Sequence, residues 1–296
     1  MKRIERPNIK YSDILSSCIK SLNNSHFKTL ITAKKGVFLE SSELYISLGE
    51  LHQLKSFVNK ELQVTNNKEY REKIVNLYEK LKSNKEPSKF HDKIMIASKR
   101  CVYCNQGLAN TLDHFLPKAQ FPLLSIEPTN LIPCCYDCNS TLNALSLRKN
   151  SSTNPLLIHP YFNQDNSIYD EQWIFAKVPS NQPFFDSTNR DFTTLAVTFY
   201  TDFNKTQIHK SMHKGLNFQF ENLIHEKYVD AAISMIASEI IRMRRFKGTA
   251  NQLISVHKNY LLNRATIHPV NSYNSVIYHA LGNSDLYLET IQDEFF

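Results

Sequence analysis

Four of the six cysteines form two pairs with the spacing of metal ligands. Two residues separate Cys101 from Cys104, and two separate Cys135 from Cys138. Soft thiolates in two such pairs, roughly thirty residues apart, match a tetrahedral zinc site with no open position. The sequence therefore predicts one structural Zn2+ ion. Cys134 also stands at an allowed spacing from Cys138, but symmetry with the first pair favours Cys135 as the ligand.

Polar side chains suited to phosphodiester hydrolysis lie between these pairs and directly after them. The imidazole of His114 titrates near neutral pH, which suits a general base that takes a proton from water. The oxygens of Asp113 and Asn139 are hard ligands, which suit Mg2+ or Mn2+. Asn130 can accept a hydrogen bond from the histidine ring or brace the loop around it. These four residues predict a catalytic site beside the zinc.

The adjacency of Asp113 and His114 constrains this site. Neighbouring residues on a regular strand face opposite sides of the sheet, so the two can share a site only where the strand ends or bulges. Pro117 follows closely behind and is consistent with the end of a strand.

The order of the motif residues resembles the zinc-bearing HNH endonucleases, also called His-Me finger or ββα-metal nucleases. The strings "LDHFLPKAQFP" and "NLIPCCYDCN" carry this likeness, which is most specific over residues 101–143 and softer over the rest of the chain. The resemblance implies a ββα-metal module and metal-dependent cleavage of DNA that leaves 5′-phosphate and 3′-hydroxyl ends. It also implies that His114 is the base, that Asn130 is a catalytic residue, and that Asp113 and Asn139 bind a catalytic Mg2+ or Mn2+.

One departure from the family pattern concerns the helix that follows Asn139. In similar proteins this helix commonly carries a basic residue within a few positions. Here Leu142 and Asn143 stand at that place, and Arg148 and Lys149 come only later. The departure argues against phosphate contacts from this helix and leaves the predicted metal ligands untouched.

Two alternatives accompany the nuclease hypothesis. In the first alternative, the segment is a zinc-ribbon module that binds nucleic acid or protein without catalysis, although a bare ribbon needs none of Asp113, His114 and Asn139. In the second, which similar HNH proteins imply, the nuclease is the effector of a bacterial anti-phage system and is controlled by a regulatory partner such as an ATPase. The chain has no nucleotide-binding loop of its own, so gating by ATP requires a second chain.

The formal net charge of +7 permits an acidic partner such as DNA, and RNA is not excluded. Lys118 is a candidate phosphate contact beside the predicted site. A second candidate set lies at a predicted helix end and consists of Arg242, Arg244, Arg245 and Lys247. Compensation of the helix dipole at a C-terminus is the alternative role for this set.

Helical periodicity dominates on both sides of the cysteines, and the expected fold class is α+β, mostly helical. Apolar spacing predicts helices within residues 11–22, 41–62, 70–83, 88–99 and 227–248. The stretches "EQWIFAKV" and "TTLAVTFY" predict two strands. The expected parts are a helical segment over 1–98, the HNH module over 99–150, and a strand pair with helices over 151–296. The sequence has neither a long apolar run nor a signal peptide, so we expect a cytoplasmic protein.

Overall fold

The computed structural model describes residues 3–60, 63–144, 157–163, 165–178, 197–243, 245 and 247–295. The chain divides into two compact units, residues 1–164 and 165–296. Within the described ranges helices predominate, and each unit contains a two-stranded antiparallel sheet. The predicted α+β, mostly helical class is therefore confirmed. The three-part division of the chain stays a prediction, and its first two parts both fall in the first unit.

Helices fill the first part of the first unit. In the described ranges they are α1 (Tyr11–Lys20), α2 (Ser25–Ala33), α3 (Lys35–Glu50), α4 (Lys68–Val75), α5 (Leu77–Ser83) and α6 (Lys85–Met95). Ile14, Leu15 and Cys18 share one face of α1 because helical neighbours lie three and four residues apart. All three are fully buried. Burial of each large apolar side chain contributes about 1.5–3 kcal/mol to stability.

Two predicted helices have different bounds in the structure. The helix expected over 41–62 is α3, which already ends at Glu50; His52 follows with a φ of 57°, and residues 61–62 lie outside the described residues. The helix expected over 70–83 is divided at Asn76 into α4 and α5. Helix α5 is thus a separate element, anchored in the core by the fully buried Leu77 and Leu81.

A β-hairpin followed by a helix carries the cysteine motif. Strands β1 (Thr111–His114) and β2 (Leu131–Cys134) pair antiparallel in a regular register. Helix α7 (Tyr136–Ala144) begins directly after β2 and packs against β1. Leu112 and Leu131 belong to the apolar core that the preceding helices form. The hairpin is therefore held between that core and the cysteine-bearing turns.

A buried carboxylate fixes the loop that connects the two strands. Glu127 accepts hydrogen bonds from Ser42 Oγ at 2.5 Å and from Thr129 Oγ1 at 2.7 Å, which ties the loop to α3. Burial raises the pKa of the Glu127 carboxyl, and the hydroxyl donors act in the opposite direction. Sequence spacing could not identify Glu127 as a buried residue, because its partner Ser42 lies far away along the chain.

The second unit contains the other strand pair and the C-terminal helices. Strand β3 (Ile174–Lys177) pairs antiparallel with β4 (Thr198–Thr201), as predicted, although residues 193–196 of the second stretch lie outside the described residues. The described helices are α8 (Ser167–Asp170), α9 (Lys210–Gln219), α10 (His225–Met243), α11 (Ala250–Ile267), α12 (Tyr273–Gly282) and α13 (Asp285–Phe295). No helix in the described ranges has both the length and the apolarity needed to cross a membrane.

The buried stripe of α10 differs from the predicted one in its first half. Helical spacing of the apolar residues predicts a buried stripe of Val229, Ile233, Ile236, Ile240 and Met243. Val229 and Ile233 are only half-buried. The buried residues of α10 are Tyr228, Ala232, Ile236, Glu239, Ile240 and Met243. The predicted stripe is thus correct in the second half of the helix, with Glu239 as an unexpected buried carboxylate.

Candidate functional site

Four buried sulfur atoms converge beside the hairpin. The Sγ atoms of Cys101, Cys104, Cys135 and Cys138 all lie within 4.8 Å of one another. The Sγ atoms of Cys104 and Cys135 are 3.9 Å apart, close to the edge of about 3.8 Å of a tetrahedron with zinc–sulfur bonds of about 2.3 Å. Hydrogen bonds among the four thiols lower the pKa values of Cys104 and Cys135 and raise those of Cys101 and Cys138. The four side chains can therefore bind one metal ion such as Zn2+.

The turn around the first cysteine pair shows why the sequence folds into this cluster. Asn105, directly after Cys104, adopts a φ of 57°, and its backbone N–H donates to the Cys101 carbonyl at 2.8 Å. A Cβ atom on Gly107 would lie 2.7 Å from the Cβ of Cys135. Only glycine allows the two cysteine-bearing turns to approach this closely.

Cys134 and Cys135 are neighbours with different environments. The Sγ of Cys134 lies 3.3 Å from Thr111 Oγ1 and is not a member of the four-sulfur cluster. Burial, followed by the nearby charge of Asp113, raises the pKa of the Cys134 thiol well above its usual range. The symmetry argument from the sequence therefore selected the correct cysteine.

Asp113 is buried in the middle of the hairpin. Its Oδ2 accepts a hydrogen bond of 2.8 Å from the hydroxyl of Tyr103, a buried residue within the first cysteine turn. This bond ties β1 to that turn. In the regular register of the hairpin, Asp113 shares its face with Thr111 and Cys134, whereas His114 faces the other way. The strand ends at His114, but its register is regular up to that residue, so the pairing itself does not bring Asp113 and His114 to one side of the hairpin.

His114 is half-buried and held at one ring nitrogen. Its Nε2 lies 2.9 Å from the backbone carbonyl oxygen of Ser125. Because a carbonyl oxygen only accepts hydrogen bonds, Nε2 carries the proton in the neutral ring and the lone pair lies on Nδ1. This is the tautomer in which Nδ1 can take a proton from another molecule.

Asn130 braces the loop that presents this carbonyl. It is fully buried, and its Oδ1 accepts from the backbone N–H of Leu116 at 2.7 Å. Its Nδ2 donates to the carbonyls of Leu116 and Leu124 at 3.0 Å and 3.1 Å. Leu124 directly precedes Ser125, so Asn130 positions the carbonyl that holds His114. Of the two roles that the sequence left open, loop bracing is the one that the contacts support.

Asn139 lies on the first turns of α7. It is half-buried, and its Oδ1 accepts a hydrogen bond of 3.1 Å from Asn143 Nδ2. Helix α7, which carries Asn139, packs against β1, which carries Asp113. Both residues offer oxygen donors of the kind that hard cations prefer.

Tyr78 is a neighbour of the site that sequence reasoning missed. Its ring meets the imidazole of His114 edge to face, with centroids 4.6 Å apart. The Nζ of Lys118 lies 4.6 Å from the same ring centroid and 3.6 Å from Glu79 Oε1. Burial lowers the pKa of Lys118, although the Glu79 carboxylate acts in the opposite direction. Sequence spacing could not reveal Tyr78, because α5 reaches the hairpin only through tertiary packing.

The basic residues at the end of α10 are separated into different environments. Arg242 donates to Glu239 Oε2 at 2.8 Å, lies 2.8 Å from His257 Nδ1, and stacks 3.7 Å from the ring centroid of Tyr260. These contacts occupy its guanidinium within the second unit. Arg245 and Lys247 are exposed, and Arg244 lies outside the described residues. Phosphate binding by this set stays a prediction.

A phage protein resembles the chain over nearly its whole length. The chain is 24% identical to protein ea31 of Escherichia phage lambda over 308 residues, which cover 96% of this chain and 98% of that protein. The likeness extends over both units, but the name of that protein states no activity. No family model and no solved structure matches the chain.

Proposed function

We propose that this chain is a metal-dependent endonuclease of the HNH type that hydrolyses phosphodiester bonds in DNA. The observation that carries the proposal is the hydrogen bond between His114 Nε2 and the Ser125 carbonyl, on a hairpin joined to a helix by four cysteines. A neutral imidazole that donates from Nε2 to a carbonyl has its lone pair on Nδ1, and a lone pair of this kind is what a general base uses to take a proton.

The reaction follows from the tautomer of His114. A water molecule that attacks phosphorus gives a proton to Nδ1, the bond from phosphorus to the 3′ oxygen breaks, and that oxygen takes a proton from solvent. The resulting imidazolium keeps its Nε2–H bond to the Ser125 carbonyl. That acceptor stabilises the charged ring through a stronger hydrogen bond. Asn130 acts through the loop, so it is a positioning residue here and not a group that touches the substrate.

Two metals of different character fit the side chains. The four thiolates would hold Zn2+, which joins the two cysteine turns and has no open position for chemistry. The hard oxygens of Asp113 and Asn139 would hold Mg2+ or Mn2+. When bound, such a cation stabilises the negative charge on the phosphate and on the leaving oxygen.

A second candidate is a zinc-stabilised module that binds nucleic acid or protein without catalysis. The observation that favours it is the burial of Asp113 and its bond to Tyr103, which a structural role alone would explain. The anti-phage role, the cytoplasmic location and a regulatory partner such as an ATPase stay predictions. Reconstitution with the products of neighbouring genes tests the partner.

Incubation of the purified protein with supercoiled plasmid separates the two candidates. The nuclease should nick or linearise the plasmid with Mg2+ or Mn2+ and not with EDTA, and the nicks should be sealed by DNA ligase. A zinc-loaded protein that binds DNA or RNA but cleaves neither, with any of these cations, would establish the binding module instead.

A further inference from the structure

Tyr78 connects two residues of the proposed site. The ring of Tyr78 meets the imidazole of His114 edge to face, and the Nζ of Lys118 lies over the same ring. The tyrosine ring therefore lies between the candidate base and the Lys118 ammonium. The Tyr78 ring also lies 6.2 Å from that of His91 on α6. Tyr78 thus sits where α5, α6 and β1 meet.

The α5 backbone holds Tyr78 firmly in this place. Leu77 and Leu81 on the same helix are fully buried in the core of the first unit. Burial, then the charge of Glu79, raises the pKa of Tyr78 well above its usual range, so the side chain remains a neutral phenol. A neutral ring keeps the electron-rich face that attracts a lysine ammonium.

The hydrogen bond to Ser125 and the ring contact with Tyr78 restrain His114 in complementary ways. The hydrogen bond to Ser125 fixes the direction of Nε2 but still permits the ring to rotate about that bond. The perpendicular ring of Tyr78, at an interplanar angle of 73°, restricts this rotation. The hydrogen bond and the ring contact together favour one direction of Nδ1.

We propose that Tyr78 is a positioning residue of this site, which holds the plane of the His114 imidazole and keeps Lys118 beside it to contact a phosphate oxygen of the substrate. The inference rests on the proposed nuclease function. In the free protein Glu79 pairs with Lys118, and a phosphate group takes the place of that carboxylate when DNA binds. Lys118 then supplies the basic contact that α7 lacks.

Substitution of Tyr78 tests the inference, with Tyr70 on α4 as the matched control. Tyr70 is also half-buried, and Lys73 Nζ lies 5.2 Å from its ring centroid. Tyr78→Leu should lower kcat about 10- to 100-fold, the scale of a misplaced catalytic group, and should raise KM as Lys118 loses its support. Tyr78→Phe keeps the ring and should restore kcat to within about threefold, and Tyr70→Leu should change little.

Two outcomes would overturn the role of Tyr78 in a protein that cleaves DNA. One is a kcat for Tyr78→Leu equal to that of Tyr70→Leu, and the other is a Tyr78→Phe variant as slow as Tyr78→Leu. If Tyr78→Leu does not fold, Tyr78→Met replaces it, because the flexible methionine fills a similar volume without a ring face. Zinc content and circular dichroism verify the fold of each variant.

A spectroscopic measurement separates this inference from the proposed function. Because the Ser125 carbonyl sets the tautomer, NMR should show the Nε2–H form of His114 in every variant, whereas NMR relaxation should show greater motion of the His114 ring in Tyr78→Leu than in the wild-type protein or Tyr78→Phe. A protein that cleaves DNA but has the same His114 ring motion in Tyr78→Leu as in the wild type would overturn the role of Tyr78 alone. A wild-type protein that cleaves no nucleic acid overturns the nuclease, and with it any catalytic role for Tyr78.

Discussion

At the scale of single residues, the chemistry open to His114 depends on groups that do not react. Ser125 offers a backbone carbonyl to Nε2, and Asn130 fixes the loop in which that carbonyl lies. The sequence identified His114 and Asn130 through residue type and order. It could not identify Ser125, because a backbone carbonyl is present in every residue and only the folded loop selects one.

Asn130→Ala should destabilise the protein by roughly 2–4 kcal/mol. The substitution leaves the buried backbone groups of Leu116 and Leu124 without their partner, and each such loss costs about 1–3 kcal/mol. Asn143→Ala is the control, because Asn143 is exposed and should change stability by less than about 0.5 kcal/mol. Urea unfolding followed by circular dichroism measures both. Equal effects of the two substitutions would show that the loop is not braced by Asn130.

At the scale of elements, the cysteine order predicted which segments come together. Two Cys-x2-Cys pairs require two turns to meet, and the hairpin β1–β2 brings them to one place. The break between α4 and α5 was not predictable from periodicity, because the apolar pattern continues through Asn76. The position of α5 against His114 is a consequence of core packing by Leu77 and Leu81, which spacing alone cannot reveal.

Neighbouring cysteines should respond differently to the same substitution. Cys135→Ser should lose zinc and stability together, because metal-binding energy is folding energy in such a site. Cys134→Ser should keep one zinc per chain, because its side chain contacts Thr111 and not the cluster. Elemental analysis and thermal melting measure these effects. Loss of zinc from Cys134→Ser with retention in Cys135→Ser would reverse the ligand assignment.

The α10, α11 and α13 helices are joined by a polar cluster that periodicity did not predict. His257 Nδ1 accepts from Arg242, and its Nε2–H therefore faces the hydroxyl of Tyr287 at 3.0 Å. Glu239 is buried within the α10 stripe because Arg242 neutralises it one turn later. From the sequence alone, a carboxylate at this place in an apolar pattern argues against burial, and only the position of Arg242 explains it.

Stability of the second unit should fall between about pH 6.5 and pH 4. Burial, followed by the charge of Arg242, lowers the pKa of His257 to about 4 from its ordinary value of 6.5. In this range the unfolded chain binds a proton that the folded protein excludes, so stability present above pH 6.5 is lost as the pH falls. The loss from this one group is roughly 3 kcal/mol.

Urea unfolding as a function of pH measures this loss. The sole tryptophan, Trp173, is buried in the second unit and provides the fluorescence signal. Gln can accept from Arg242 and donate to Tyr287 without titrating, so His257→Gln should unfold with a flatter pH dependence. An unchanged pH dependence in that variant would assign the effect to other groups.

At the scale of the whole molecule, the motif occupies a small part of the chain, and helices of the first unit pack around it. Hairpin residues pack into the core of the first unit, and α5 and α3 contact the site or its loop. The net charge of +7 suits a nucleic-acid partner without identifying one. Fold class and the four-cysteine cluster were therefore predictable from composition and spacing, whereas the surroundings of His114 required the fold.

Asn139, the proposed ligand of the catalytic cation, provides the comparison for His114. Asn139→Ala should weaken the binding of that cation, so part of its loss of activity should recover at high Mg2+ or Mn2+. His114→Ala should show no such recovery, because added cation cannot replace a missing base.

The rate of plasmid cleavage by His114→Ala at saturating Mg2+ or Mn2+ tests the central claim most directly. The variant should fold, keep its zinc and bind DNA, because Ser125 and Asn130 belong to a loop that remains braced without the ring. Its cleavage rate should fall on the order of 10²- to 10⁴-fold, the usual contribution of a general base. A His114→Ala protein that cleaves at the wild-type rate would contradict the assignment of His114 as the base.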